Sequence, residues 1–151
     1  RGEGCNINIP LVPGTGHLGY LHAFERIVIP ALHAYRPDAI VVACGFDASG
    51  VDPLSRTMAS AATFGEMTRL TMAAADELCG GRLVRVHEGG YSEAHVPFCG
   101  HAVIAALAGS AIEAADPFAV RLDFQQPNAD FVAYQKGLID RMADAFGPWR
   151  F

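Results

Sequence analysis

Residues 39–47 read Ala39-Ile40-Val41-Val42-Ala43-Cys44-Gly45-Phe46-Asp47. The first six of these form a continuous apolar run, rich in β-branched residues and without polar alternation. That pattern is typical of a strand buried on both faces, as in a parallel sheet that helices cover. We therefore predict such a strand here, with a loop over residues 45–50 leaving its C-terminal end and carrying Asp47.

The rest of the sequence alternates between helix and strand patterns. We predict helices over 17–35, 60–79, 96–108 and 129–146, and further strands over 5–11 and 83–86. Pro30 should kink or divide the first helix, and Gly80 should end the second. Residues 116–127, which contain Pro117 and Pro127, should form an irregular linker to the last helix. This order of elements predicts an α/β fold with a parallel sheet and right-handed crossovers.

The composition argues against several classes of protein. The net charge is −5 with acidic and basic residues interspersed, which disfavours nucleic-acid binding. No apolar run approaches the roughly 20 residues that span a bilayer, and residues 1–5 lack the apolar core of a signal peptide. The four cysteines are widely spaced, and we expect Cys44 and Cys99 to be reduced and buried. A cytoplasmic protein without a membrane partner is therefore expected.

Asp47 and Tyr91 are candidate site residues that the predicted fold places together. Ligands of parallel sheets bind beyond the C-terminal ends of the strands, and the loops 45–50 and 88–91 both leave such ends. Asp47 is placed to bind a metal or to act as a base; alternatively, it caps a turn. The glycine pair before Tyr91 lets the backbone approach a ligand and present the phenol as a hydrogen-bond donor. Alternatively, the pair forms a tight turn and Tyr91 packs in the core.

The six histidines show no useful metal-binding spacing. The segment His87-Glu88-Gly89-Gly90-Tyr91 fails the H-E-x-x-H pattern, because it ends in tyrosine and its two glycines break the helix that the pattern needs. Each histidine is therefore expected to be exposed or structurally bonded. The sequence also lacks G-x-x-x-x-G-K-[ST] and G-x-S-x-G, so neither a phosphate-binding loop nor a serine-hydrolase elbow is expected.

Three segments together resemble the histone deacetylase family, most closely its class II branch with the bacterial histone deacetylase-like and acetylpolyamine amidohydrolases. They are Asn8-Ile9-Pro10-Leu11-Val12-Pro13-Gly14-Thr15-Gly16, then Cys44-Gly45-Phe46-Asp47-Ala48 with Asp52-Pro53-Leu54, then Glu88-Gly89-Gly90-Tyr91, and the likeness continues through Pro97-Phe98-Cys99-Gly100. The resemblance implies an open parallel α/β sheet of arginase type. It also implies hydrolysis of acyl amides, usually acetyl-lysine, with one zinc ion.

The resemblance assigns roles to individual residues. By it, Asp47 is one of three protein ligands of the zinc ion. Tyr91 would hydrogen-bond the carbonyl oxygen of the substrate as that oxygen becomes negative. Four further residues would lie in or near the substrate channel: Gly89, Gly90, Pro13 and Gly14.

Two elements of the family pattern are missing from these 151 residues: the Asp-x-His zinc ligands and the adjacent pair of catalytic histidines. We therefore expect residues 1–151 to be the C-terminal portion of a single catalytic domain, without its N-terminal part and inactive alone. Missing strands would leave an exposed apolar sheet edge, so we expect self-association or pairing with the missing portion. Two other interpretations stay open: a non-catalytic binding or assembly module on the same scaffold, and an unrelated doubly wound domain that binds a small ligand.

Overall fold

The computed structural model describes residues 4–147, and residues 1–3 and 148–151 lie outside the described part. The prediction that residues 1–5 lack the core of a signal peptide therefore falls mostly outside the described residues. The elements in chain order are α1 (His17–Ala23), a π-helical turn (Phe24–Val28), α2 (Ile29–Tyr35), β1 (Ile40–Cys44), α3 (Ala61–Cys79), β2 (Leu83–His87), α4 (Val96–Ala108), α5 (Ala119–Phe124) and α6 (Ala129–Phe146). Of the helices in this described part, none is long and apolar enough to cross a membrane.

The two strands form a parallel pair, in register from Ile40 opposite Leu83 to Cys44 opposite His87. The connection between them contains α3, which gives the βαβ arrangement expected from the sequence. Because parallel strands end at the same edge of a sheet, the loops that leave β1 and β2 emerge side by side. The prediction of a parallel α/β fold is confirmed.

Only one face of this sheet is covered by the described residues. Ile40 packs with Ala75 of α3, and Cys44 joins a core cluster to which both α3 and α4 contribute. On the opposite face, Val41 is 70% exposed and Val84 is 56% exposed. The prediction that β1 is buried on both faces is therefore wrong for this part of the chain, because α3 and α4 pack on the Ile40 side.

Residues 5–11 form no strand. A strand needs a hydrogen-bonded neighbour, and in the described part of the chain only β1 and β2 pair with each other as a sheet. The alternation of apolar residues still describes the packing, since Ile7 and Ile9 lie against the core cluster around Ile27 and Ile139. The prediction of a strand over residues 5–11 is thus wrong, because this segment forms no ladder of hydrogen bonds, although Ile7 and Ile9 do face the core.

Pro30 interrupts the first helix, as predicted. The five residues Phe24–Val28 before it form a π-helical turn, and α2 then begins with Pro30 in its first turn. Proline has no amide hydrogen to donate to the preceding turn, and a π-helical turn accommodates such a missing bond. α2 ends at Tyr35, and the next residue, Arg36, takes the left-handed conformation with φ of 54°.

The segment 116–127 is not wholly irregular, because it contains the six-residue helix α5. Just before this helix, Oδ1 of Asp116 accepts a hydrogen bond from the backbone nitrogen of Phe118 at 2.8 Å. Leu122, on the inner side of the helix, is fully buried. A helix this short shows no apolar periodicity in sequence, which is why the linker prediction missed it.

The helices α3, α4 and α6 agree with their predicted ranges. Ser60 and Thr63 form a reciprocal capping box at the start of α3, and Gly80 ends this helix with φ of 61°. The side chain of Asn128 caps α6 by accepting a hydrogen bond from the backbone nitrogen of Phe131 at 2.9 Å. Local sequence signals therefore set the ends of these two helices.

Candidate active site

The loops that leave β1 and β2 lie side by side at one edge of the sheet. The backbone nitrogen of Phe46 donates to the carbonyl of Gly89 at 2.8 Å, and that of Glu88 donates to the carbonyl of Cys44 at 3.2 Å. These bonds extend the parallel pairing of the strands into the loops. The predicted convergence of the loops 45–50 and 88–91 is therefore present.

The carboxylate of Asp47 lies between two glycines of these loops. A Cβ on Gly45 would come within 2.9 Å of Oδ1 of Asp47, and a Cβ on Gly89 would clash with Oδ2. Asp47 is partly exposed, and within residues 4–147 no hydrogen bond or ion pair is recorded for its side chain. Its oxygens are therefore available to an external ligand, and it does not cap a turn as the alternative proposed.

Tyr91 is positioned through the backbone and not through its ring. Its backbone nitrogen donates to Oδ2 of the buried Asp52 at 2.6 Å, while Oδ1 of the same carboxylate accepts from the nitrogen of Leu54 at 2.9 Å. The side chain of Tyr91 is 58% exposed, so the alternative that it packs in the core is wrong. Asp52 thus ties the end of the Asp47 loop to the residue that carries the phenol.

The residue between Gly89 and Tyr91 must be a glycine. Gly90 has φ of +134°, a conformation that residues with a side chain rarely adopt. A Cβ at this position would also lie 2.9 Å from Cγ2 of Val96 and 3.1 Å from Cβ of Phe46. Packing against Val96 and Phe46 therefore requires a glycine at position 90, whereas the close approach of this backbone to a ligand stays a prediction.

Pro13 and Gly14 lie on a separate loop. The backbone nitrogen of Gly14 donates to the carbonyl of Arg56 at 2.6 Å, and its carbonyl accepts from the side chain of Gln135 at 3.1 Å. Pro13 is exposed at the same turn. The contacts of this loop are thus with the segment before α3 and with α6, whereas Asp47 contacts Gly89.

Tyr20, a partly buried tyrosine that sequence analysis did not single out, lies near Asp47. The hydroxyl of Tyr20 is 2.9 Å from Oγ1 of Thr57, which donates to the carbonyl of Ala48 at 2.8 Å. Burial raises the pKa of Tyr20; the bond to Thr57 opposes this, and the negative charge of Asp47 adds to it. Tyr20 is therefore a neutral hydroxyl that supports the Asp47 loop, and nothing in local sequence marked it.

At this edge of the sheet, the described residues supply Asp47 as a candidate metal ligand, but not the three ligands of a complete zinc site. Within residues 4–147, no group of three or more His, Cys, Asp or Glu side chains is arranged to hold a metal ion. Asp47 fits a zinc ligand in its chemistry, since its carboxylate is unbonded and has glycines on both sides. Zinc held at this site would need further protein ligands from outside the described residues.

Within the described residues, three of the histidines form hydrogen bonds to other side chains, as expected: His17, His22 and His95. Nε2 of His22 lies 2.8 Å from Oδ1 of Asp140 on α6, and Nδ1 of His17 lies 3.0 Å from Oγ1 of Thr63.

The four cysteines are all free, and Cys44 and Cys99 are buried as predicted.

Known proteins of one family match this chain in sequence and in fold. Residues 1–107 match the family model described as Histone deacetylase domain. The chain is 51% identical over 147 residues to the histone deacetylase-like amidohydrolase of Pseudomonas aeruginosa, covering 97% of this chain and 39% of that protein. It is 41% identical over 110 residues to a probable deacetylase of Archaeoglobus fulgidus, covering 72% of this chain and 31% of that protein.

The solved structure of the histone deacetylase Clr3 shares the fold, with a TM-score of 0.73 at 24% identity. The match covers 99% of this chain and 23% of the Clr3 chain. The chain thus spans 39% or less of the length of each of these three proteins. The region that matches is therefore a part of a longer chain in each of them.

Proposed function

Because the chain belongs to the histone deacetylase family, we propose that it forms one part of a zinc-dependent site that hydrolyses N-acyl amides. Acetyl-lysine and acetylpolyamines are the substrate classes that the proposal covers. The supporting observation is the unbonded carboxylate of Asp47, packed between Gly45 and Gly89 beside the loop that carries Tyr91. Family membership argues against the interpretation as an unrelated ligand-binding domain.

In this proposal each residue of the site has one task. Asp47 holds the zinc ion together with ligands from the remainder of the domain. When bound, zinc polarises the amide carbonyl and lowers the pKa of a coordinated water. The exposed phenol of Tyr91 donates a hydrogen bond to the carbonyl oxygen as it gains negative charge. The substrate channel is lined by Gly89 and Gly90, with Pro13 and Gly14 at its margin.

A polypeptide of this sequence is proposed to be inactive by itself. Its 151 residues contain neither Asp-x-His nor His-His. Catalytic zinc takes three protein ligands and an activated water needs a base, and Asp47 with Tyr91 supplies only one ligand and one donor. A complete site requires the remaining ligands from another portion of the domain.

The exposed sheet face supports a partner that completes the fold. Val41, Val84 and Val86 lie on one face of the parallel pair and are all exposed. Uncovered apolar faces and unpaired strand edges favour association with another chain. We propose that the remainder of the deacetylase domain covers this face, and that a second copy does so when the remainder is absent. The unpaired cysteines suit a reducing compartment such as the cytoplasm.

A non-catalytic binding or assembly module is the second candidate. It is favoured by the finding that residues 4–147 hold no group of three metal-binding side chains. The two candidates differ in one respect: a module tolerates loss of Asp47, whereas a zinc site does not.

The test is a chimera in which this chain replaces the matching segment of the Pseudomonas aeruginosa relative, to which it is 51% identical. The proposal predicts stoichiometric zinc and deacetylation of a fluorogenic acetyl-lysine peptide. Asp47→Asn should reduce both, whereas Asp38→Asn, an exposed aspartate at the other end of β1, should change neither. A folded chimera that binds zinc and turns over substrate equally well with Asp47→Asn would contradict the proposal.

A further inference from the structure

A buried polar network lies beneath the two site loops. The imidazole of His95 is fully buried, with Nδ1 2.6 Å from Oγ of Ser49 and Nε2 3.1 Å from Oδ2 of Asp116. Ser49 belongs to the Asp47 loop, His95 precedes α4, and Asp116 precedes α5. Three segments that are distant in sequence are thus joined by one side chain.

The directions of the hydrogen bonds in the network follow from the chemistry of the groups that His95 contacts. A carboxylate only accepts, so the proton of a neutral imidazole lies on Nε2 toward Asp116, and Nδ1 accepts from the hydroxyl of Ser49. Oγ of Ser49 in turn accepts from the backbone nitrogen of Val51 at 3.2 Å. Oδ1 of Asp116 accepts from the backbone nitrogen of Phe118 at 2.8 Å. Each of these polar groups has a partner, which makes the network directional and rigid.

The residue types match those of a serine nucleophile, its base and an orienting carboxylate, but the burial excludes that chemistry. Ser49 is only 2% exposed, and the ring of His95 is not exposed at all. A substrate carbonyl cannot reach Oγ of Ser49, because nucleophilic attack requires contact between the reacting atoms. The network therefore acts on its neighbours in the fold and not on a substrate.

The Asp47 loop is one of these neighbours. Ser49 lies two residues after Asp47, and its hydroxyl is the atom that His95 holds. Asp47 itself has no recorded hydrogen bond in the described part of the chain, so the conformation of its loop must be set by the residues beside it. His95 is fully buried and bonds to this loop at Ser49, whereas Thr57 bonds to it at Ala48.

The Tyr91 loop is the other neighbour. The backbone nitrogen of His95 donates to the carbonyl of Ser92 at 3.0 Å, in the turn that directly follows Tyr91. The backbone nitrogen of Asp52 donates to the carbonyl of Ser49 at 2.9 Å, and the carboxylate of Asp52 binds the nitrogen of Tyr91. His95 thus bonds through its ring to Ser49 of the Asp47 loop and through its backbone to Ser92, the residue that follows the Tyr91 loop.

We propose that His95 is a positioning residue that fixes Asp47 relative to Tyr91, with Asp116 orienting its ring. This inference rests on the proposed deacetylase function, in which Asp47 holds zinc and Tyr91 binds the substrate carbonyl. The hydrogen bond to Ser49 holds the loop that carries Asp47 in place. The hydrogen bond to Asp116 keeps the proton on Nε2, so that Nδ1 is free to accept the hydrogen bond from Ser49. Residues that hydrogen-bond a metal ligand directly typically contribute about 10- to 100-fold to metal affinity or activity, and we expect an effect of the same order from His95, which acts through Ser49.

Two substitutions of His95 separate the two bonds. In His95→Asn, the amide oxygen replaces Nδ1 and keeps the bond to Ser49; in His95→Gln, the amide nitrogen replaces Nε2 and keeps the bond to Asp116. His33→Asn is the matched control, since His33 is a half-exposed histidine on α2 that faces Glu77. All three are made in the chimera, with kcat, KM, Tm and amide hydrogen exchange as readouts.

The proposal predicts that His95→Gln lowers kcat by about 10- to 100-fold with KM nearly unchanged. His95→Asn should retain most of the activity, and His33→Asn all of it. In His95→Gln, hydrogen exchange should accelerate at the amides of Asp52 and Tyr91 and stay unchanged within β1.

Two results would overturn the proposal. One is equal loss of kcat and Tm in His95→Asn and His95→Gln; the other is exchange that accelerates in β1 as much as at Tyr91, since both indicate only a general loss of stability. Failure of the proposed function is distinguishable, because an unsubstituted chimera without activity contradicts that function alone. The exchange pattern then still decides whether His95 holds the two loops.

Discussion

Replacing Gly89 by alanine should displace the carboxylate of Asp47. The added Cβ would clash with Oδ2 and come within 2.9 Å of Cγ. Since nonbonded carbon atoms settle at about 3.5–4.0 Å, the carboxylate must move by roughly 0.6–1.1 Å. Gly89 does not have a positive φ, so the alanine adds no backbone strain. The substitution is therefore a steric perturbation of Asp47 with little effect on the fold.

A displacement of about 1 Å at a reacting group costs on the order of 100-fold in rate, which is about 2.7 kcal/mol in the activation free energy. We expect Gly89→Ala in the chimera to lower kcat/KM by about 10- to 100-fold and to weaken zinc binding in parallel. The assays are deacetylation of a fluorogenic acetyl-lysine peptide and competition for zinc with a chelator of known affinity. A thermal unfolding curve checks that the fold is retained.

The matched control is Gly137→Ala in α6. The nearest heavy atom to its added Cβ is Nη1 of Arg141 at 3.7 Å, an ordinary contact. Alanine within a helix raises the free energy of unfolding by about 0.5–1 kcal/mol, and activity should not change. Full activity and unchanged zinc affinity in Gly89→Ala would refute the assignment of Asp47 to the metal. A loss of activity that merely follows a loss of folded protein would refute the steric explanation.

Three further predictions concern the fold. Burial raises the pKa of the Cys99 thiol to about 12, so a thiol reagent at pH 8 should modify the exposed Cys5 in the native chain and spare Cys99; equal labelling of both would contradict the described core. Ser60→Ala removes the cap of α3 and should lower the free energy of unfolding by about 1 kcal/mol in urea denaturation, and no change would mean that the capping box contributes nothing. Arg26 chiefly lowers the pKa of Asp140, a half-exposed carboxyl. Asp140→Asn should therefore reduce the free energy of unfolding at pH 7 by about 0.5 kcal/mol. Because the pKa of Asp140 is lower in the folded than in the unfolded state, its contribution is present above pH 3.8 and disappears as the pH falls through the folded value. A difference between variant and parent that persists in acid would contradict this cause.

The parallel sheet and the convergence of the two loops could be predicted because they follow from local patterns. The run 39–44 marks a strand, helix 60–79 separates it from 83–86, and parallel strands end at a common edge. The proximity of Asp47 to the second loop follows from this topology without any knowledge of side-chain contacts.

Burial on the second sheet face could not be predicted in the same way. The apolar character of Val41 and Val84 indicates only that something covers them, whereas the described residues leave that face open. Likewise, the alternation in residues 5–11 indicates a buried side but not a hydrogen-bonded neighbour. Both predictions depend on what lies next to the segment, and a local pattern does not contain that.

The polar network of Ser49, His95 and Asp116 also could not be predicted from the sequence. Ser49 and His95 are 46 residues apart, and neither lies in a motif that marks a contact. Asp116 falls in the segment expected to be irregular, where its carboxylate accepts a hydrogen bond from the backbone nitrogen of Phe118 and binds His95. Contacts of this kind become visible only when the packing of α4 and α5 is known.

The most direct test of the central claim is to measure zinc content and deacetylation by this purified polypeptide alone, beside the chimera that completes its domain. Because residues 1–151 contain one proposed zinc ligand and no His-His pair, we predict no stoichiometric zinc and no turnover of an acetyl-lysine peptide by the chain alone. The chimera should show both, and Asp47→Ala should remove them. Zinc at one per chain, with turnover that Asp47→Ala abolishes, in the isolated polypeptide would contradict the claim that its site is completed from outside.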